Sequence, residues 1–308
     1  MSNALSGKGR LSAALADRIR TRAAEVGFRP SRVAQALKTG RSGIIGLVMP
    51  DLANPLFPAL VQSLECAANR AGFGVLIADS HGAADAQADA IERLTQRGVD
   101  GLVIVPHRGT RPTIESLPVA IIHTPTYPRN TVSADHRQGG ALAARTLLDL
   151  GHRDILIVGG DPQSDVQRDR IAGMLSEDQR SARYRITWST DEAEPLADMV
   201  ADGVTGVLTT SDLLALRVLG DAYQADIKVP KDLSIIGFDD LPLGTAVRPT
   251  LTTVAQDVKR VAQAAFAAVK AALDNEQPVA GGMVIPMTLT LRGSTAVAPT
   301  QNRIGEVQ

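Results

Sequence analysis

Aromatic residues are scarce, at 3% of 308, and there is a single cysteine, Cys66. One thiol excludes an internal disulfide and points to a reducing, cytoplasmic setting; Cys66 is expected as a small apolar residue on a helix. No run approaches the roughly 20 consecutive apolar residues of a membrane span. Met1 to Arg10 is polar and glycine-containing, without the apolar core of a secretion signal. Catalytic signatures are missing too. Five histidines (His81, His107, His123, His136 and His152) lie scattered, without HExxH spacing, and there is no CxxC. Gly-x-Ser-x-Gly, the phosphate loop and GxGxxG are absent, and Gly159-Gly160 lacks the third glycine of a dinucleotide site. Neither catalysis nor a cofactor nor a metal is expected.

Charge is the first positive signal. The net charge is −1, but residues 1–42 hold nine Lys/Arg against Asp17 and Glu25. That head carries +7 and leaves −8 on the rest. A basic head on an acidic body implies that the head meets a polyanion; the plainer reading is a solvated basic tail. Ser12 reads as the N-cap of a helix reaching about Val26, with Leu15, Ile19, Ala23 and Val26 as its apolar stripe. The head has too little apolar surface for a core of its own.

From Gly43 onward short aliphatic runs alternate with amphipathic stretches. Strands are predicted at Ile44–Met49, Val75–Ala78, Leu102–Val105, Val119–Ile122, Ile155–Val158, Val207–Thr209 and Leu233–Gly237. Helices are predicted at Leu56–Ala71, Ala84–Arg97, Gln138–Leu150, Asp212–Tyr223 and Asp257–Leu273. Repeated βα units imply an α/β fold with parallel sheets covered on both faces. They are too many for one small sheet, and two doubly wound lobes dividing near Gly151 account for them.

Ligands of such sheets bind beyond the carboxyl ends of the strands. A polyhydroxylated ligand needs carboxylate acceptors, forked donors and a flat apolar face. Asp239 and Asp135 offer the first, Arg170 the second, Phe57 and Trp188 the third. Core packing is the structural alternative for Phe57, and helix capping for the Asp239-Asp240 pair.

These residues sit in strings that resemble the lactose-repressor (LacI/GalR) family over nearly the whole chain. Phe28-Arg29-Pro30-Ser31-Arg32 through Gly40 resembles its hinge; Ile45 through Phe57 its first strand and pocket loop. Asp135-His136-Arg137-Gln138-Gly139-Gly140, ending in Leu150-Gly151-His152-Arg153, is similar to its passage into the second lobe. The most specific string is Val229-Pro230-Lys231-Asp232-Leu233-Ser234-Ile235-Ile236-Gly237-Phe238-Asp239-Asp240, followed by Pro249-Thr250-Leu251-Thr252-Thr253-Val254. Five such strings in the correct order make the resemblance specific.

The resemblance implies a periplasmic-binding-protein-like core crossed three times by the chain. Residues 1–42 would be a partial DNA-binding head and hinge, 43–150 with 256–282 the first lobe, 151–255 with 283–293 the second, and 294–308 a loose tail. Family effector contacts carry over to Phe57, Arg170, Trp188 and Asp239; Asp135 and Ser211 complete the expected effector site. Ser211 stands where many members have asparagine, so the shorter side chain changes that contact. Paired hinge helices imply minor-groove binding, with Leu37 as the wedge and Arg29, Arg32, Lys38 and Arg41 on phosphates; a plain linker is the alternative for Leu37. Most of the helix-turn-helix is expected to be missing, which predicts weak or absent operator binding by this chain alone. The implied function is a dimeric, cytoplasmic regulator, a repressor, governed by a sugar or derivative. A periplasmic-type sugar-binding protein is the rival, though it has no use for a basic hinge.

Overall fold

Strands that alternate apolar residues toward two opposite cores must be sandwiched between helices. The structure, a computed structural model, describes residues 12–26, 40–177, 182–189, 194–275 and 282–299. Helix α1 (Ala13–Glu25) begins where Ser12 caps it, its Oγ accepting from the Leu15 amide at 3.4 Å. Leu15 and Val26 of the expected stripe stay exposed.

The first lobe is built from β1 (Ile44–Met49), α2 (Leu56–Arg70), β2 (Gly74–Asp79), α3 (Ala84–Gln96), β3 (Gly101–Ile104) and β4 (Val119–Ile121). Its four strands lie parallel in the order β2-β1-β3-β4. Ile45, Leu47 and Met49 face one core, with Leu64 of α2; Val48 faces the other, with Ala90 and Leu94 of α3. Period two along one strand thus fills both layers. Cys66 lies on α2, a helix as expected, exposed and off the buried Leu60–Leu64–Ala68 stripe.

The second lobe takes α4 (His136–Asp149), β6 (Asp154–Gly159), α5 (Asp165–Met174), β7 (Arg183–Trp188), α6 (Leu196–Ala201), β8 (Gly206–Thr209), α7 (Asp212–Gln224), β9 (Ser234–Phe238), α8 (Leu243–Ala246) and β10 (Thr252–Ala255). After β10 the chain returns as α9 (Val258–Leu273), which packs on α2 through Val261, Ala265 and Phe266 in the first core. The second sheet runs β12-β10-β9-β8-β6-β7, parallel except for β12 (Thr288–Thr290).

Two segments fall on other sides of the cleft than the sequence suggests. Helix α4 was expected in the first lobe, yet Ala143, Ala144 and Leu147 pack with Ile171 and Met174 in the second core. Glycines permit this. A Cβ at Gly140 would lie 2.1 Å from the Arg170 carbonyl, and one at Gly173 would lie 2.0 Å from that of Arg137. The backbones touch, and only glycine fits at both contacts. Conversely, β11 (Met283–Ile285), expected in the second lobe, pairs in parallel with β5 (Val132–Ala134), and β5 continues from β4 through an Ile122–Val132 bridge. The chain still crosses three times, near residues 135, 256 and 286.

The expected loose tail is pinned where it is described. The Ile235 amide donates to the Ser294 carbonyl at 2.8 Å, and the Ala298 amide donates to that of Leu150 at 2.8 Å.

Candidate functional site

The strand ends of both sheets open onto one cavity of about 340 Å³ between the lobes. The first-lobe wall is Pro50 and Asp51 after β1, Phe57 at the start of α2, His107 and Arg108 after β3, and His123 after β4. The opposite wall is Asp165, Gln167 and Arg170 of α5, Thr210 and Ser211 after β8, and Asp239 and Leu241 after β9. The strand-end rule for doubly wound sheets is met by both lobes at once.

Arg170 organises the second wall. It is 4% exposed, and its guanidinium lies 4.1 Å from the centre of the Phe238 ring. Its Nη2 donates to Asp239 Oδ1 at 2.7 Å, its Nη1 to the Thr210 carbonyl at 2.6 Å, and its Nε to His136 Nδ1 at 3.4 Å. Gln256 adds a second donor to Asp239 Oδ1 at 3.0 Å. Burial raises the Asp239 carboxyl above its ordinary range, while Arg170 and then Gln256 draw it back. A buried carboxylate is tolerable only when paired and hydrogen-bonded in this way.

The loop carrying Asp239 is held from below. Asp239 and Asp240 both have positive φ (106° and 54°), a conformation that side-chain-bearing residues adopt rarely. Fully buried Asp212 clamps the turn, accepting from the Leu241 amide at 2.6 Å and from Thr253 Oγ1 at 2.6 Å. Burial pushes its carboxyl up to about 6, against those two hydrogen bonds. Gly237 is needed beside it, since a Cβ there would lie 2.2 Å from Asp212 Oδ1.

His136 is 5% exposed, and burial followed by the Arg170 charge holds its imidazole well below the ordinary value. With Nδ1 accepting from Arg170, the neutral ring carries its proton on Nε2; it also bonds the His123 backbone carbonyl. His123 is lowered by burial too, although Asp165 and Asp169 pull upward, and its ring stacks on Tyr127 with centroids 4.2 Å apart. Buried Nδ1 atoms of His107 and His123 have no hydrogen-bond partner in the structure.

Of the residues singled out from the sequence, Phe57, Arg170, Ser211 and Asp239 line the cavity; Asp135 and Trp188 do not. Asp135 caps α4, accepting from the Gln138 amide at 3.0 Å. Trp188 lies across Gly159, where a Cβ would come within 2.4 Å of its ring, and faces a separate pocket of about 80 Å³. Ser211 also caps α7, so its hydroxyl has a structural duty as well. Arg41 is tied to the body: its Nη1 donates to Asp274 at 3.0 Å, and its guanidinium reaches the Leu273 carbonyl. Arg29, Arg32, Leu37 and Lys38 lie outside the described residues.

Sequence reasoning missed His107, His123, His136, Gln167 and Gln256 as a group. The histidines and Gln256 share a position just beyond strands or at crossovers, whereas Gln167 lies within α5; no spacing along the chain links them. Among the described residues no cluster of His, Cys, Asp or Glu could hold a metal ion, and no helix is long and apolar enough to cross a membrane.

Two parallel-sheet lobes, three crossings and a cavity at the opposed strand ends define a periplasmic-binding-protein-like ligand-binding core. Comparison with known proteins agrees. Residues 42–188 match the family model described as periplasmic binding proteins and sugar binding domain of LacI family, and residues 144–295 match a periplasmic binding protein-like domain. An HTH-type transcriptional regulator from Streptomyces limosus is 33% identical over 291 residues, covering 87% of this chain and 82% of that protein. The ribose operon repressor of Halalkalibacterium halodurans is 28% identical over 268 residues, covering 84% and 81%. The Lac repressor dimer bound to operator and the anti-inducer ONPF superimposes with a TM-score of 0.83 at 24% identity, covering 96% and 94%. The chain belongs to the LacI family of transcriptional regulators. It is a regulator, not an enzyme.

Proposed function

We propose that the cavity between the lobes binds a sugar or sugar derivative, and that this ligand governs operator binding by a cytoplasmic, dimeric bacterial repressor. The observation that carries the reading is the buried Arg170–Asp239 pair at the floor of a two-walled cavity, with Phe57 opposite. Carboxylate acceptors, amide and hydroxyl donors and one flat apolar face are what a polyhydroxylated ring requires. Phe57, Arg170, Ser211 and Asp239 are the proposed contacts. The ribose operon repressor and the Lac repressor complex support the assignment of ligand and of DNA as partners.

Binding shifts the protein between lobe arrangements only as far as the ligand prefers one of them. Because α9 and β11 return to the first lobe, any change of lobe angle is transmitted at the three crossings and reaches the segment preceding β1. Arg41 is well placed to feel it, being ion-paired to Asp274 just past the end of α9.

A thermal-shift screen over sugars, sugar phosphates, nucleosides and purines tests the reading. A saccharide should raise the melting temperature in a saturable way, and Asp239→Ala should abolish that rise. Stabilisation by purines alone would replace the assignment. Sedimentation at micromolar concentration should show a dimer; a monomer throughout would count against the assembly.

A further inference from the structure

Most of the cavity's ions already have partners within the protein, and this bears on the charge of whatever enters. We infer that the effector is uncharged, a hydroxyl-rich molecule carrying no phosphate or carboxylate; this rests on the sugar-type reading above and narrows it. Among the described residues two arginines and three aspartates line the cavity, and no lysine does. Arginines and aspartates together give the wall a net formal charge of −1 before any ligand arrives.

Both arginines are already paired within the protein. Three of the five N–H groups of the Arg170 guanidinium donate within the protein, to Asp239, Thr210 and His136, one N–H remains on each Nη, and its face is covered by Phe238. Pulling it away from Asp239 toward a phosphate would strand that buried carboxylate, 8% exposed at its side chain. Arg108 is ion-paired across the cleft to Asp161. Asp165 is likewise engaged by Arg168, which is not among the cavity's lining residues.

The remaining unused capacity is of the other kind. Both hydrogen bonds to Asp239 fall on Oδ1, leaving Oδ2 to accept. Gln167 spends its Oε1 on the Gly160 and Asp161 amides and the Thr210 hydroxyl, leaving its Nε2 to donate. Asn54 accepts from the Leu56 amide through Oδ1, which leaves its Nδ2 as a donor as well. Hydroxyl groups both donate and accept, so they satisfy a wall of carboxylate acceptors and amide donors. A phosphate brings acceptors only, and it brings them toward carboxylates. The geometry suits the one and opposes the other.

The test uses the intact chain and matched pairs: glucose against glucose 6-phosphate, ribose against ribose 5-phosphate, adenosine against its 5′-monophosphate, each titrated calorimetrically. The tightest binder should be uncharged, with an affinity insensitive to salt. Its phosphate ester should bind at least about 30-fold more weakly, the ratio for unit charges held ~8 Å apart at an effective dielectric of ~20. Asp51→Asn, which keeps the oxygen that accepts from Ala53, should narrow that gap severalfold by removing one negative charge. An ester that binds as tightly as its parent overturns the charge inference and leaves the sugar reading standing. A panel extended to common mono- and disaccharides and their phosphates, with no binder at all, overturns the sugar reading and the inference with it.

Discussion

The two walls of the cavity are made differently. The first-lobe wall is mostly packing: Phe57 belongs to the same apolar assembly as Leu60, Leu64 and Val261, and its polar members enter singly. The second-lobe wall is a connected hydrogen-bond network running from Thr210 through Arg170 to Asp239 and Gln256, with Asp212 beneath the turn. One wall loses shape when cut, and the other loses a charge partner. Mutations on the two walls should therefore separate stability from ligand binding, which offers several ways to break the comparison.

The largest effect belongs to Asp239→Ala. It leaves the buried Arg170 guanidinium without its counterion and should cost about 3–5 kcal/mol in urea unfolding. Phe57→Leu on the opposite wall should cost less than about 1.5 kcal/mol while still weakening the ligand. Equal losses from both would erase the distinction.

Next comes pH. The Asp212 carboxyl is raised in the folded state to about 6 from an unfolded value of 3.8. Between those limits the folded protein holds more protons than the unfolded chain, so this group's contribution falls as pH rises from about 4 to about 6. Asp212→Asn should remove that slope, worth roughly 1–3 kcal/mol across the window, in paired unfolding curves at pH 4.5 and 7. An unchanged slope would mean that the carboxylate is not strained by burial.

A smaller effect is expected at Trp188. Trp188→Leu should lower stability by about 1–2 kcal/mol by uncovering Gly159, with ligand affinity held within about threefold. A large loss of binding would return the indole to the site. Arg108→Ala should be the mildest. Its pair with Asp161 bridges the lobes with the arginine half exposed, so stability should change by less than about 1 kcal/mol.

Much of this architecture could be read from the residues alone. The strands at Ile44–Met49 and Ser234–Phe238 announce themselves because both faces are buried and every position is apolar or small. The side of the cleft taken by α4 was not legible. Its Ala143–Ala144–Leu147 stripe suits either core equally, and the deciding contact is the Gly140–Gly173 approach between residues 33 apart. Arg170, inside α5, was legible through the family resemblance, whereas Asp239 and Phe57 occupy positions just past a strand or at the mouth of a helix. Trp188 misled for the same reason. It ends β7, but β7 is the edge strand of its sheet, too far along the row to reach the cavity. The histidines were illegible as a site, since only the fold brings His107, His123 and His136 together.

The most direct measurement is a calorimetric titration of the tightest uncharged saccharide from the panel into wild type and Asp239→Asn, each confirmed folded by circular dichroism. The account predicts a loss of at least about 100-fold in affinity for the variant, because the amide cannot replace a charged acceptor that also fixes Arg170. Equal affinity in the two proteins would contradict it, and would place the ligand somewhere other than between the lobes.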